Sequence, residues 1–295
     1  MTDEITPMTL PHTAAVERVT ATRWQRFRHS PWAVYLASLI VIGYLLVALF
    51  APWLAPHGEA EVISAQPYAQ WSGEFPLGTD QIGRDVLSRL IYGTRNSVGI
   101  AVLTTLLAFA VGASLGVLAA IRGGWIDNLL SGVIETLMAI PQLILALILL
   151  AALGPSIPNI VVIIAVINAT QIYRLARTTA RNVVVMDFVE AARLRGEGTG
   201  WILRREIVPN ILPSLIAEFG LRFCFAFLTI SALSFLGLGI QPPSADWGTM
   251  VREGATFISY GDITPLIPAG AIALLTLAVN VVVDHFLDPN DEQKP

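Results

Sequence analysis

Six long apolar segments constrain the fold of this chain more than any other feature of its sequence. A helix that crosses a bilayer needs about 20 apolar residues, because a rise of about 1.5 Å per residue must cover about 30 Å of hydrocarbon. Six segments meet this requirement, at residues 32–54, 98–121, 129–153, 157–173, 211–236 and 264–286. The sequence therefore predicts an all-α integral membrane protein with six transmembrane helices.

The composition agrees with a bilayer as the solvent for most of this 295-residue chain. Hydrophobic residues make up 54% and charged residues only 14%, which is more apolar than a soluble domain of this size requires. The net charge of −4 argues against a nucleic-acid partner, which would require a basic surface. Lys294 is the only lysine, so the chain has no Gly-Lys-Ser/Thr phosphate loop with which to bind ATP. A single cysteine, Cys224, and four scattered histidines predict neither an internal disulfide nor a metal site.

The distribution of basic residues predicts the orientation of the spans, because positively charged flanking segments stay in the cytoplasm. With both termini inside, 13 basic residues lie in inner segments and four in outer segments. The predicted organisation is a cytoplasmic tail (1–31), a transmembrane domain (32–286) with an inner loop (174–208) and two long outer loops (55–83 and 240–263), and a second cytoplasmic tail (287–295).

Three local patterns carry further expectations. The apolar run at 32–54 is too long for a removable signal peptide and is interpreted as a retained anchor. Residues 84–95 contain three arginines and are expected to form an amphipathic helix on the outer surface. Gly237 and Gly239 are expected to let helices approach closely.

The inner loop contains the sequence DFVEAARLRG at residues 187–196. Asp187 and Glu190 have the spacing of a capping box and Gly196 is a natural stop, so the pattern predicts a helix of about two turns. The small side chains of Ala191 and Ala192 suit a helix that fits closely into another protein. The alternative is a surface helix whose arginines contact anionic lipid.

This loop resembles the EAA loop of permease subunits in ATP-binding-cassette importers. The resemblance rests on Glu190, Ala191, Ala192, Gly196 and then Pro209. Two further segments, PLGTDQIGRDVLSRLIYGTR at 76–95 and LSFLGLGIQPPSADWG at 233–248, are similar to the dipeptide, oligopeptide and nickel permease family, in particular to its DppC- and OppC-like members. With the spans between them, the resemblance covers roughly residues 30–289.

The resemblance implies the fold of a type I importer and a transport subunit that hydrolyses nothing itself. Glu190, Ala191, Ala192 and Gly196 would form the coupling helix that docks on the ATPase. The implied partners are a second similar permease, two ATPase subunits or a fused ATPase that bind ATP and Mg, and an extracytoplasmic solute-binding protein, all at the cytoplasmic membrane. Import, rather than export, is also inferred from the resemblance alone.

The chain departs from the family pattern directly after the predicted coupling helix. Glu197, Gly198 and Gly200 make this link rich in glycine, and Glu206 stands where the family usually has an apolar residue. A second short helix is expected at residues 201–207. Because of these departures, the family pattern does not determine its rigidity or its position.

Charged residues inside the predicted spans are further candidates. Glu218 and Arg222 are spaced i, i+4, and a charge near the bilayer centre costs about 2.5–3.5 kcal/mol, so each is the expected partner of the other. They form either a polar strip on the translocation path or a neutralised structural pair, and Glu135 in the third span poses the same choice. Asp246 and Trp247, in the second outer loop, are candidate contacts for the binding protein.

The predicted cargo is a di- or oligopeptide, with a nickel chelate or glutathione as alternatives within the same family. A more distant alternative is a carrier driven by an ion gradient, for which an intramembrane carboxylate would be suitable. A membrane-embedded enzyme that uses Glu135 or Glu218 is disfavoured, because no histidine or second carboxylate is placed to assist either residue.

Overall fold

The computed structural model describes residues 31–286, which contain helices and no β-strand. The predicted tails therefore lie outside the described residues, apart from Pro31. The α-helices are α1 (Pro31–Leu54), α2 (Val86–Arg122), α3 (Gly124–Met138), α4 (Gln142–Leu153), α5 (Ile157–Val184), α6 (Asp187–Leu194), α7 (Thr199–Ile202), α8 (Val208–Phe235), α9 (Trp247–Gly254) and α10 (Leu266–Phe286). A π-helix, Leu203–Ile207, joins α7 to α8, and a 3-10 helix, Ala255–Tyr260, follows α9.

Within the described residues, five helical segments are long and apolar enough to cross a membrane, and the bent pair of α3 and α4 is either a sixth, broken span or a re-entrant loop. The five are α1, α2, α5, α10 and the continuous helix that runs from α7 through the π-turn into α8. The expectation of an unbroken third span at 129–153 is wrong, because α3 and α4 meet at an angle of 87°. Pro141 directly precedes α4. It has no N–H to donate and disfavours a helical residue before it, which accounts for the break.

The second and fifth spans begin earlier than the hydrophobic pattern indicates. Residues 86–95 are the first turns of α2 and not a separate surface helix as expected, and Asp85 caps them by accepting from the backbone N–H groups of Leu87 and Ser88. The short helix expected at 201–207 is likewise the start of the long fifth span. There the N–H of Val208 bonds to the carbonyl of Leu203, five residues back, and this π-turn adjusts the register just before Pro209, which has no N–H to contribute.

The close approach of α2 and α5 forms the centre of the bundle. Small residues recur every four positions on α2, at Ala108, Gly112, Gly116 and Ala120. A Cβ atom at Gly112 would lie 2.5 Å from the carbonyl oxygen of Ala169, and one at Gly116 would lie equally close to the carbonyl oxygen of Tyr173. Such a ladder lets two helix backbones approach in a membrane, where packing rather than the hydrophobic effect drives association.

Gly237 and Gly239 form a turn at the end of α8, and the expected close approach holds at Gly237, where a Cβ atom would lie 2.5 Å from Nη1 of Arg252 on α9. Gly237 has φ of 89°, and its N–H bonds to the carbonyl of Ser234, while the N–H of Leu238 bonds to the carbonyl of Leu233. These two bonds are a Schellman motif, which favours glycine because the turn requires a left-handed residue. The turn directs the chain from α8 toward α9.

Candidate coupling surface and the opposite cap

The two ends of the bundle carry the candidate functional residues. We call the end that holds residues 185–206 the loop end, and the end that holds residues 55–85 and 240–264 the cap end. Helix α2 runs from the cap end to the loop end, since Val86 packs near Trp247 whereas Val117 packs near Val189.

Helix α6 lies at the loop end and has the two turns that the sequence predicts. It ends at Gly196, whose φ is 83°, with bonds from the N–H of Gly196 to Arg193 and from the N–H of Glu197 to Ala192. The predicted capping box does not form, because the helix already begins at Asp187 and the cap position is Met186, which makes no side-chain cap bond. Asp187 and Glu190 in the first turn still interact favourably with the helix dipole.

One side of α6 is anchored to the rest of the chain. Val189 and Ala192 are fully buried in an apolar cluster with Ala176 and Ala180 of α5 and Ile207 of the π-turn. The expectation that Ala191 and Ala192 together face a partner is therefore corrected for Ala192, whose small side chain permits contact with its own bundle. Glu190, Ala191 and Gly196 are exposed, as a docking role requires.

Large apolar side chains cover the other side of the loop end. Leu194 is 83% exposed, and Val185, Met186 and Phe188 are also exposed. Ala191 and Leu194 lie on the side of α6 away from the buried Val189, and Phe188, one turn before Ala191, flanks them. We call the exposed residues Val185, Met186, Phe188, Ala191 and Leu194 the coupling surface. Exposed apolar groups that are rimmed by charge mark a surface that contacts another protein or the membrane.

An ion cluster fastens the first turn of α3 to α5. Asp127 of α3 is buried and accepts hydrogen bonds from Arg177 and Arg181 of α5, with Nη2 of Arg177 at 2.8 Å. The hydroxyls of Ser131 and Tyr173 also bond at 3.0 Å. Two of the arginines that the sequence assigned to the inner loop thus have a structural role, because a buried carboxylate requires such partners.

The predicted pair within the fifth span is formed. Nε of Arg222 donates to the carboxylate of Glu218, and the guanidinium also lies 4.9 Å from the ring centre of Phe225. Each side chain retains about a sixth of its exposure. Glu135 is exposed on α3. The geometry is that of a partly buried, neutralised pair, with the ring of Phe225 adding a cation–π contact.

Asp246 and Trp247 are buried at the cap end, which corrects their predicted role as contacts for a binding protein. Asp246 caps α9 by accepting from the N–H of Thr249, and it also accepts from the hydroxyl of Ser97 on α2 at 2.8 Å. The indole of Trp247 donates to the carbonyl of Leu90 and packs on Gly93, where a Cβ atom would lie 2.7 Å from it. Both residues therefore lock α9 onto α2.

Two arginines of the cap end are also buried. Nε of Arg84 donates to Asp80 at 2.6 Å, and Nε of Arg89 lies 3.4 Å from the same carboxylate. Glu253 of α9 lies 3.6 Å from Nη2 of Arg89. These ion pairs join the loop before α2 to α9, and a cavity of about 560 Å³ opens beside them.

Comparison with known families decides what kind of protein combines these features. Residues 112–290 match the family described as "Binding-protein-dependent transport system inner membrane component". This chain belongs to that family of membrane permeases. Residues 20–70 of the permease also match the N-terminal TM domain of oligopeptide transport permease C.

Curated relatives cover most of the permease. A dipeptide transport system permease protein of Alkalihalophilus pseudofirmus is 35% identical over 86% of this chain and 83% of its own length. A di/tripeptide transport system permease protein of Pseudomonas aeruginosa is 35% identical over 91% of this chain and 90% of its own. A glutathione transport system permease protein of Pectobacterium atrosepticum is 32% identical over 91% of this chain and 89% of its own.

A solved structure supports the fold independently. The MetNI methionine ABC transporter, described in inward facing conformations, contains a chain that matches the permease with a TM-score of 0.55. The match covers 68% of this chain and 95% of that chain at 18% identity. The permease therefore has the helical fold of an ABC importer subunit, as its sequence predicts.

Sequence reasoning missed three features of the permease sites. The motif predicts α6 but not the apolar coupling surface, although Phe188 and Leu194 are spaced within that helix. The sequence does not indicate the role of Asp127, since its partners lie about fifty residues away in the chain. Trp247 packs on Gly93, and the absence of a side chain there is the one local signal for where the indole lies.

Proposed function

We propose that this permease is the non-catalytic, membrane-spanning subunit of an ATP-driven importer that moves di- or oligopeptides across the cytoplasmic membrane. The observation that carries the proposal is the coupling surface, an exposed apolar face on a helix whose opposite face is buried in the bundle. Peptide cargo is favoured because the relatives named for dipeptides are 35% identical over most of both chains.

The partners follow from the same reasoning. The chain has no Gly-Lys-Ser/Thr phosphate loop, so separate ATPase subunits, or a fused ATPase, would bind ATP and Mg and dock on the coupling surface. A second, similar permease would complete the pore, and a solute-binding protein would deliver cargo at the cap end. In this arrangement the loop end and both termini lie in the cytoplasm, in keeping with the excess of basic residues there.

The packing of α6 indicates how a movement of the ATPase would reach the membrane. Val189 and Ala192 pack in one apolar cluster with α5 and with the start of the fifth span. A shift of α6 would therefore move α5 and the fifth span as well. Helix α5 is in turn held to α2 at Gly112 and Gly116, where the backbones leave no room for a side chain. A displacement of α6 is thus transmitted as a rigid-body movement of tightly packed helices.

The proposal is tested by purifying the tagged chain from its native host in mild detergent, identifying its partners by mass spectrometry and assaying ATP hydrolysis. We expect an ABC ATPase and a second permease to co-purify, with ATPase activity in the eluate. A chain that is recovered alone and inactive in several detergents would contradict the proposal. Uptake that stops when an ion gradient is dissipated at constant ATP would instead favour the carrier.

Glutathione is the second candidate cargo, because relatives named for glutathione transport are 32–33% identical to this chain over 91% of its length. A competition experiment distinguishes the dipeptide from glutathione as cargo. If the cargo is a dipeptide, a large excess of glutathione should not inhibit peptide uptake by the intact transporter. Strong inhibition by glutathione would favour the second candidate.

The role of Glu218 and Arg222 is tested on the same transporter. If the two form a neutralised pair, Glu218→Gln should impair stability more than Glu218→Gln combined with Arg222→Gln, because the single change leaves a cation without its partner. Thermal unfolding of the purified variants measures this difference. Equal stability of both variants combined with altered peptide selectivity would favour a place on the translocation path.

A further inference from the structure

Helix α5 is longer than the hydrocarbon core that it crosses. Its 28 residues extend over about 42 Å at a rise of about 1.5 Å per residue, whereas the hydrocarbon core is about 30 Å thick. Because α5 runs parallel to α2, toward the loop end, its last turns lie at the level of the lipid headgroups there. Arg174, Arg177 and Arg181 occupy these turns, and their spacing of three and four residues places them on one face of the helix.

Arg177 and Arg181 share one buried carboxylate. Asp127 accepts hydrogen bonds from both guanidinium groups, so one negative charge is opposed by two positive charges. Among the described residues, Arg181 has only this partner and reaches it with Nη2, and 48% of its side chain is exposed. The other N–H groups of Arg181 are therefore available to a ligand at the surface.

Two neighbouring arginines have no carboxylate partner in the described part of the chain. Arg174 donates to the amide oxygen of Gln171 at 3.0 Å and forms no ion pair there. Arg122 is exposed in the last turn of α2. Helix α2 reaches the basic face of α5 just before that turn, since a Cβ atom at Gly116 would lie 2.9 Å from the backbone nitrogen of Arg177.

These side chains form a surface with a surplus of positive charge. We call Arg122, Arg174, Arg177 and Arg181 the basic patch. The carboxylates that act on Arg177 are those of Asp127 and of Glu135, which is exposed further along α3. Four guanidinium groups opposite two carboxylates leave an excess of two positive charges, and such a surplus at headgroup level attracts anionic lipid.

An exposed apolar strip on α3 lies next to the basic patch. Trp125 is 73% exposed, and Leu129 and Val133 follow it at intervals of four residues and are exposed as well. Tryptophan is enriched at headgroup level because its ring is amphipathic. The hydroxyl of Ser131 bonds to that of Tyr173, which precedes the arginines on α5, so Leu129 and Val133 lie deeper in the bilayer than Trp125.

The turn between α2 and α3 presents backbone donors beside the same arginines. Gly123 and Gly124 have φ of 59° and 56°, and open space surrounds both. Helix α3 begins without a side-chain cap, and the N–H groups of Gly124, Trp125 and Ile126 meet no acceptor among the described residues. Free N–H groups and the positive end of the helix dipole add to the attraction of the arginines for phosphate.

We infer that the basic patch binds an anionic phospholipid. The phosphate lies at the arginines and the start of α3, and an acyl chain runs along Leu129 and Val133. The combination decides for a lipid, because an anion without a tail would use the arginines and leave the apolar strip unused. The bound lipid joins α2, α3 and α5, and the inference depends neither on the cargo nor on the ATPase of the proposed function.

The test uses the purified full-length permease in mild detergent, offered phosphatidylglycerol and phosphatidylcholine at equal concentration. Native mass spectrometry should show retained phosphatidylglycerol, and that lipid should raise the unfolding temperature more than phosphatidylcholine does, because a ligand of the folded state stabilises it. Equal retention of both lipids overturns the inference. Inorganic phosphate alone should not raise the unfolding temperature, and stabilisation by phosphate equal to that by phosphatidylglycerol would show a site for the free ion instead.

Two variants locate the site. Arg122→Gln and Arg174→Gln remove exposed charges that have no carboxylate partner in the described residues, so the unfolding temperature without lipid should stay unchanged. Each should weaken binding of phosphatidylglycerol about fivefold, the contribution of one basic residue near an anionic surface. The matched control is Arg193→Gln, an exposed arginine of α6, which should leave binding unaltered. Equal losses in all three variants would indicate diffuse attraction to the loop end and overturn the site.

The apolar strip and the choice of a lipid over a protein are tested on the same preparation. Leu129→Ser should weaken retention of phosphatidylglycerol, whereas Ile148→Ser, an exposed apolar residue of α4, should not. Equal retention by these two variants would contradict the place of the acyl chain. If Arg122→Gln and Arg174→Gln lost a partner subunit on co-purification but retained phosphatidylglycerol fully, the basic patch would bind an acidic protein segment and the inference would be wrong.

Discussion

The coupling surface at the loop end and the ion cluster at the cap end contain opposite kinds of side chain in unfavourable surroundings: Leu194 of the coupling surface is 83% exposed, whereas Arg89 of the ion cluster is 1% exposed. An apolar group left in water and an arginine taken out of it are both unfavourable for an isolated chain. At the cap end the cost is offset within the chain, by Asp80 and Glu253. At the loop end nothing in the described residues covers the coupling surface, which stays available to a partner protein or to the membrane interface.

This difference indicates which end can be changed without harm to the fold. Residues of the coupling surface are exposed and so contribute little to the stability of the isolated chain, and under the proposed function they would stabilise the assembly with the ATPase. The buried residues of the cap, such as Trp247 and Asp246, contribute to the chain itself. Two results would contradict this difference between the ends. One is a substitution on the coupling surface that lowers stability, and the other is a substitution at the cap end that weakens ATPase binding.

The largest expected effect is that of Leu194→Glu on the coupling surface. A charge in the centre of an apolar interface should abolish co-purification of the ATPase and peptide uptake, while membrane insertion and the unfolding temperature stay unchanged. The matched control is Val62→Glu, an exposed apolar residue of the cap, which should retain the ATPase. Normal uptake by the Leu194 variant would remove the coupling assignment.

Ala192→Glu should also abolish peptide uptake, but because it disrupts the packing of α6 rather than an exposed surface. Ala192 is fully buried against α5, so a carboxylate there must be desolvated or must displace α6, at a cost of several kcal/mol. We expect membrane insertion to persist but residues 185–206 to become sensitive to protease, unlike in the Leu194 variant. Protection equal to that of the unaltered chain would place Ala192 on the docking face after all.

The two alanines show where sequence reasoning ends. Hydropathy located the spans because a bilayer imposes length on any crossing helix, and the EAA pattern located α6 because Gly196 can terminate a helix. Neither pattern reports which face of a two-turn helix meets the bundle. That choice depends on Val189 and Ala192 fitting against α5, a contact between distant parts of the chain.

The bend at Pro141 has a similar explanation. A run of apolar residues on both sides satisfied the length criterion for one span, and the residue that interrupts it carries little weight in a hydropathy average. The structure instead follows the hydrogen bonds: Pro141 has no N–H, and the chain turns by 87°. Hydropathy thus predicts the five straight spans and the apolar character of the third segment, but not its bend.

Gly112→Val tests the connection between the two ends. The new Cβ atom would lie 2.5 Å from the carbonyl of Ala169, so α2 and α5 must separate, and overpacking of this kind costs about 1–3 kcal/mol. We expect a lower unfolding temperature and weaker coupling of ATP hydrolysis to uptake, with the ATPase still bound. Gly99→Val, on the same helix with open space around it, is the control. Equal behaviour of both variants would show that the close approach carries no such role.

Asp246→Ala should have the smallest effect. It tests whether a buried residue of the cap end affects stability without affecting ATPase binding. The change removes the cap of α9 and its bond to Ser97, and loss of a helix cap costs about 0.5–2 kcal/mol. We expect a lower unfolding temperature and unaltered ATPase binding, with Asp246→Asn retaining most of the stability because asparagine also caps helices. Glu74→Ala, an exposed carboxylate of the cap loop, should change neither property. If Asp246→Ala left stability intact but reduced binding of the solute-binding protein, the residue would act at the interface that its sequence position first suggested, and the contrast between the two ends would fail there.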